Sequence, residues 1–169
     1  SMHGYDIGDH NELNPEIGTR EDYDAFVATL HEHGLGQIVD FVPNHMGIGS
    51  AVNTWWTDVL ENGPSSVFAP HFDIDWQPLK QDLNNRVLLP ILGDQYGRVL
   101  ERGEFKLELE AGAFFLRYFE TRLPLAPRTY ALILQPVLAR LAALGVSEDF
   151  QAEFQSVITA LSHLPPRTE

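Results

Sequence analysis

The chain contains no cysteine. Disulfide frameworks, thiolate metal centres and cysteine nucleophiles are excluded with it, and redox chemistry gives no clue to the compartment. No apolar run approaches the ~20 residues of a membrane-crossing helix, so insertion into a bilayer is not expected. Cations are scarce too: 11 Lys and Arg stand against 24 Asp and Glu, a formal net charge of −13. Such a chain lacks the clustered Lys and Arg that hold a phosphate backbone, which argues against nucleic-acid partners and for a neutral ligand. The opening Ser1-Met2-His3-Gly4 has neither the basic start nor the apolar core of a secretory signal, and the expected location is cytoplasmic. That start falls abruptly in a loop, as in a segment cut from a longer chain. Internal repeats and long like-charge runs are absent as well.

What is present is an apolar, mixed α/β pattern. Its 169 residues, 44% of them hydrophobic, suffice for one domain with a core. They fall short of the roughly 250 residues typical of a complete β/α barrel. The most informative stretch is Gln37-Ile38-Val39-Asp40-Phe41-Val42-Pro43-Asn44-His45-Met46-Gly47. Ile38 to Val42 is short, β-branched and interrupted only by Asp40, the pattern of a strand buried on both faces, and Pro43 cannot continue a central ladder. Asn44 and His45 then fall just past the carboxyl end of that strand, where barrel and open-sheet α/β enzymes place site residues.

Upstream, residues 3–18 are rich in Gly, Asp, Asn and Pro and read as a loop. Thr19 with Asp22 resembles a capping box, and Tyr23, Phe26, Val27 and Leu30 keep the i, i+3, i+4, i+7 spacing of one helix face. A helix over about 20–33 is expected, stopped at Gly34. Helix, Gly34-Leu35-Gly36 and strand form one α-to-β half of a β/α repeat. After Gly47 no second such repeat follows, and an insertion is expected instead. Asn53 can cap a short helix carrying Trp55, Trp56, Val59 and Leu60. An aromatic loop, Phe68 to Trp76, follows. Strands are expected at 87–92, 97–101, 105–109 and 113–119, separated by Gly-containing turns in a small antiparallel meander. Two helices close the chain, 130–144 with a break or kink at Pro136, and 147–163.

Ser1-Met2-His3-Gly4-Tyr5-Asp6, Asn14-Pro15-Glu16-Ile17-Gly18 and Asp40-Phe41-Val42-Pro43-Asn44-His45-Met46 occur in a telling order and spacing. They resemble the stretch from the second to the third barrel strand of the α-amylase-type glycoside hydrolases. Asn53-x-Trp55-Trp56-x-Asp58-Val59-Leu60-Glu61-x-Gly63, then Ser65-Ser66 and Phe72-Asp73-Ile74-Asp75-Trp76, narrow the resemblance. They point to the branch that isomerises the reducing-end α-1,4 bond of a maltooligosaccharide into the α-1,1 bond of trehalose. The fold class so implied is α/β, with a partial (β/α)8 barrel segment over residues 1–50. An inserted subdomain over 51–169 carries a small antiparallel sheet and a helical tail.

The resemblance also implies roles. Tyr5 stacks its ring on the apolar face of the sugar just before the scissile bond. His45 donates hydrogen bonds to hydroxyls of that sugar, Asp6 accepts from hydroxyls of the terminal glucose, and His3 stands beside them at the rim. Asp40 and Asn44 fix the strand end and orient the loop as structural residues, since buried polar groups must be paired. The reaction of such enzymes is a retaining, intramolecular transglycosylation by a carboxylate nucleophile and a carboxylic acid/base about 5 Å apart. Their motifs, an Arg-x-Asp at a strand end and later carboxylates, are not found in this chain. No catalytic residue is assigned, and the chain alone is expected to be inactive.

Other readings of the same residues stay open. His45 can be a capping or core histidine, and Tyr5 and Asp6 can be turn residues. Trp55 and Trp56 suit a core as well as a site. Phe72, Asp73, Asp75 and Trp76 either line a substrate cleft or fasten the insertion. His31-Glu32-His33 does not suit a metal, because residues two apart on a helix point about 200° apart. Calcium near Asn44 is permitted by its oxygen-rich surroundings but not required, and no cofactor is expected. The alternative function is a non-catalytic carbohydrate-binding or scaffold module, and a third reading is a degenerate relative that has lost its triad. Finally, a strand at 37–42 without neighbours exposes two hydrogen-bonding edges, so self-association through it is expected.

Overall fold

The structure, a computed structural model, describes residues 5–42, 45–49 and 53–165. Two compact units make up the chain, 1–54 and 55–169.

The first unit is organised by one helix, α1 (Arg20–Glu32). Its N-terminus is closed by the expected capping box: the Asp22 N–H donates to Thr19 Oγ1 at 3.2 Å, and the Thr19 N–H donates to Asp22 Oδ2 at 2.9 Å. At the other end Gly34 takes φ +65°, and the Leu35 N–H returns to the Leu30 carbonyl at 2.8 Å. Local signals therefore suffice to define this helix, and they must, because α1 buries no residue.

The expected strand at 38–42 does not form. Residues 37–42 follow an irregular path, and no backbone group among them bonds to another described residue. Ile38 is 100% exposed, Val39 64% and Phe41 54%. The sequence pattern is that of a buried strand, but a strand needs a neighbour for its ladder, and no described strand lies in this unit. Asp40, expected as a buried strand-end residue, is exposed for the same reason.

The second unit opens one residue inside α2 (Thr54–Asn62), which buries Trp56 and Val59. Trp55 stacks on Phe68 with centroids 5.0 Å apart, and Trp56 packs on Phe72 at 5.1 Å. The Asp58 carboxylate ties the helix to the following turn, accepting from Ser66 Oγ and from Asn62 Nδ2.

Downstream the structure departs from the expected meander. Residues 87–92 are irregular, since Pro90 lacks the N–H a ladder uses. The expected strand at 97–101 is a helix, α3 (Tyr96–Glu101), with Val99 fully buried. Asp94 stands just before it, 3.6 Å from Arg98 Nη1 and 2.8 Å from Arg102 Nη1, an acid at the N-terminal end paired at helical spacing. Three strands then pair antiparallel in the order β1 (Phe105–Glu110), β2 (Ala113–Tyr118) and β3 (Thr121–Pro124). The β1–β2 turn is Ala111-Gly112, both with positive φ, which suits a two-residue hairpin. β3 was not expected.

One sheet face carries Glu108, Phe115, Arg117 and Arg122, laced together by ion pairs and by Arg122 lying 3.6 Å over the Phe115 ring. The other face carries Phe114, whose ring meets Tyr130 edge-on at 4.9 Å. Tyr130 opens α4 (Tyr130–Ala143), which runs through Pro136 without ending, and α5 (Glu148–Ser162) packs back along it. Among the described residues no helix is long and apolar enough to cross a membrane.

Two outcomes follow for stability. The buried Phe114 N–H donates to the buried Tyr130 hydroxyl at 2.9 Å, and Tyr130→Phe removes that acceptor. The variant should lose about 1–3 kcal/mol in urea unfolding, the cost of an orphaned buried donor. An unchanged midpoint would contradict this. In α1 the Asp22 carboxyl is held below its ordinary value of 3.8 by the Thr19 N–H and hydroxyl. A lowered carboxyl stabilises the folded form above that ordinary value, and the contribution is lost as pH falls through the depressed one. Far-UV circular dichroism should show an acid loss of helix that Asp22→Asn lacks.

Candidate functional site

The first unit brings the two ends of its sequence together at a glycine. The Gly47 N–H donates to the Ile7 carbonyl at 2.9 Å. A Cβ at position 47 would lie 3.0 Å from Asp6 Cβ and 3.2 Å from the Asp6 carbonyl oxygen, so only glycine allows this approach without displacement. Asn53, expected as a helix cap, is fully buried, and its Nδ2 donates to the Gly47 carbonyl at 3.1 Å. Residues 5–7 and 45–47 are thereby held side by side.

Four of the expected side chains form two pairs there. His45 Nε2 lies 3.6 Å from Asp6 Oδ1, each side chain 45% exposed. The Tyr5 hydroxyl donates to Asp40 Oδ2 at 3.1 Å, and the carboxylate beside it pushes the phenol above its ordinary value of 10.0. An aromatic ring, an imidazole and two carboxylates, all open to solvent, offer stacking area together with donors and acceptors, the kit that a polyhydroxylated ligand requires. Asp40 is thus a partner of Tyr5 on an exposed segment rather than a brace at a buried strand end. His3 and Asn44 lie outside the described residues.

The residues expected as cleft lining part company. Phe72 packs against Trp56, a fastening contact. Asp75 is exposed, and Oδ1 accepts its own turn's Gln77 N–H at 3.0 Å. Trp76 does line a groove of about 290 Å³ in the second unit, with Asn85, Arg86, Leu60 and Leu123 among its walls. Sequence reasoning passed over Asn85 and Arg86; the only signal was the Asn-Asn pair, a composition that tolerates the φ of +57° found at Asn85. A larger apolar groove, about 530 Å³, lies along α1 between Leu13, Ile17, Tyr23, Phe26 and Val39. Among the described residues no three His, Asp or Glu side chains converge to hold a metal ion.

The family model of the alpha-amylase catalytic domain matches residues 1–126. The chain belongs to that family. It is 37% identical over 122 residues to the putative maltooligosyl trehalose synthase of Mycobacterium tuberculosis strain H37Rv, which covers 67% of this chain and 15% of that relative. It is 43% identical over 61 residues to Maltase A1 of Drosophila melanogaster, covering 36% of this chain and 10% of the relative. A crystal structure of a maltooligosyl trehalose synthase superposes with a TM-score of 0.60 at 35% identity, covering 73% of this chain and 16% of that one. The resemblance expected from the tryptophan and Phe-Asp-Ile-Asp-Trp stretches is borne out. The chain spans about 15% of the length of the synthase relatives it matches.

The Tyr5–Asp40 contact can be tested by titration. If the carboxylate raises the phenol, Asp40→Asn should return Tyr5 towards 10.0, read by NMR of ring-labelled tyrosine. A Tyr5 titration indifferent to Asp40→Asn would remove the contact from the account.

Proposed function

We propose that this chain is one segment of an intramolecular transglycosylase that converts the reducing-end α-1,4 bond of a maltooligosaccharide into the α-1,1 bond of trehalose. The observation that carries the reading is the 122-residue match to a protein described as a maltooligosyl trehalose synthase. On this reading the segment runs from the second barrel strand's end into an inserted subdomain and supplies part of the sugar site. The Tyr5 ring stacks on a pyranose face, and Asp6 and His45 hold its hydroxyls, with His3 at the rim. Orientation by such contacts contributes to rate as well as affinity, because a glycosidic bond must be presented to its carboxylates within a fraction of an ångström. The nucleophile and the acid/base belong to sequence that this chain does not contain. Residues 37–42 supply the third barrel strand, which explains a buried-strand pattern on an exposed segment.

A second reading, a non-catalytic carbohydrate-binding module, is favoured by the groove that Trp76 lines together with Asn85 and Arg86. Saturable quenching of tryptophan fluorescence by maltooligosaccharides, lost in Trp76→Ala, would favour the module over the barrel segment.

The segment reading makes three expectations. The purified chain should leave maltopentaose unchanged, and formation of a trehalose-terminated product would overturn the reading. Grafted in place of the matching stretch of the Mycobacterium tuberculosis relative, the chain should support trehalose-terminated product formation. In that chimera His45→Ala should lower kcat/KM at least about tenfold, ~1.4 kcal/mol of transition-state binding. A fully active His45→Ala chimera would take His45 out of the site.

A further inference from the structure

We propose that Asn53 is a positioning residue for the sugar site, holding His45 in place through the Gly47 carbonyl. This deepens the proposed function and rests on its assignment of His45 to the sugar.

Asn53 is fully buried within this chain, so the contact it makes needs nothing from the rest of a longer protein. A buried amide is costly unless its polar atoms are paired. Its Nδ2 donates to the Gly47 carbonyl at 3.1 Å, six residues back along the chain. The same glycine gives its N–H to the Ile7 carbonyl at 2.9 Å. Gly47 is thus held through both of its backbone polar groups, two residues after His45. The imidazole itself is 45% exposed and lies 3.6 Å from Asp6 Oδ1, and an exposed pair of that length fixes a side chain poorly. The place of His45 therefore depends on the backbone that follows it, and that backbone depends on Asn53.

An asparagine directly before α2 can also be a helix cap, but the two roles ask for different atoms. A cap uses a side-chain oxygen, which Asp or Ser supplies about as well as Asn. The Gly47 carbonyl needs a donor, and an ionised carboxylate has none to give. Asn53→Asp keeps the shape and the capping oxygen while setting an acceptor against a carbonyl oxygen. Asn53→Ser keeps a capping oxygen without adding charge, on a side chain one bond too short for the 3.1 Å contact.

The link to chemistry is orientation. Misplacing a reacting bond by about 1 Å can cost about a hundredfold in rate. Loosening the loop that carries His45 should lower kcat more than it raises KM, because other parts of the oligosaccharide still bind while the reacting bond is presented less well.

A double-mutant cycle in the chimera with the Mycobacterium tuberculosis relative tests the proposal, with circular dichroism at the assay temperature reporting folding. Asn53→Asp and Asn53→Ser should each lower kcat about tenfold with little change in KM. Once His45 is replaced, Asn53 has nothing left to position. The double variant Asn53→Ser with His45→Ala should therefore fall within about twofold of His45→Ala alone, whereas independent residues would multiply to a loss of about a hundredfold. A folded Asn53→Ser with the parent kcat overturns the proposal, as does a loss confined to KM or a multiplicative loss in the double variant, and each of these leaves the sugar-site reading standing. A fully active His45→Ala overturns that reading itself, and the proposal with it.

Discussion

The contact on which the candidate site depends is the hydrogen bond from the Gly47 N–H to the Ile7 carbonyl. It joins two loops separated by some forty residues and by α1, and it works only because position 47 carries no Cβ. With Asn53 holding the Gly47 carbonyl from the other side, the backbone around position 47 is bonded in both directions. His45 and Asp6 then face each other as a consequence of backbone geometry rather than of their own attraction. At 3.6 Å and half exposed, an imidazole and a carboxylate contribute little to holding two loops together.

Unit 1 is otherwise a set of parts without a core. α1 is capped at both ends and buries nothing, its apolar face borders an open groove, and the strand-like segment beside it makes no ladder. The second unit differs in kind, since Trp56, Val59, Val99, Phe114, Tyr118, Tyr130 and Ile158 give it buried side chains of its own. Burial of apolar area is the main term favouring a folded state, so residues 55–169 carry the larger share of it. The first unit presents functional groups and unsatisfied surfaces, which is what a segment of a barrel would present when seen by itself.

How far the sequence could be read follows from the range of the forces involved. α1 was legible because a capping box, a glycine stop and a 3.6-residue period all act within the helix. The 37–42 segment was legible in pattern and not in outcome, because a ladder is a property of two strands. The helix at 96–101 was misread as a strand because its valine and leucine were weighed without Asp94, whose two arginine partners hold it in place. β3 was missed because Pro124 was taken to end the meander before a further strand could pair. At the site, Tyr5, Asp6 and His45 were singled out through family motifs, and the structure sets His45 beside Asp6 and Tyr5 beside Asp40. The role of Asn53 in holding Gly47 was not, since an asparagine before a helix reads as a cap whatever else its amide reaches.

The central claim is that Tyr5, Asp6 and His45 form one wall of a sugar subsite. A crystal structure of the chimeric synthase with maltotriose bound tests it most directly. The account predicts a pyranose ring stacked on Tyr5, with Asp6 and His45 hydrogen-bonded to its hydroxyls and the Gly47–Ile7 bond intact. A sugar bound elsewhere, or one in this place that those three side chains do not touch, would contradict it.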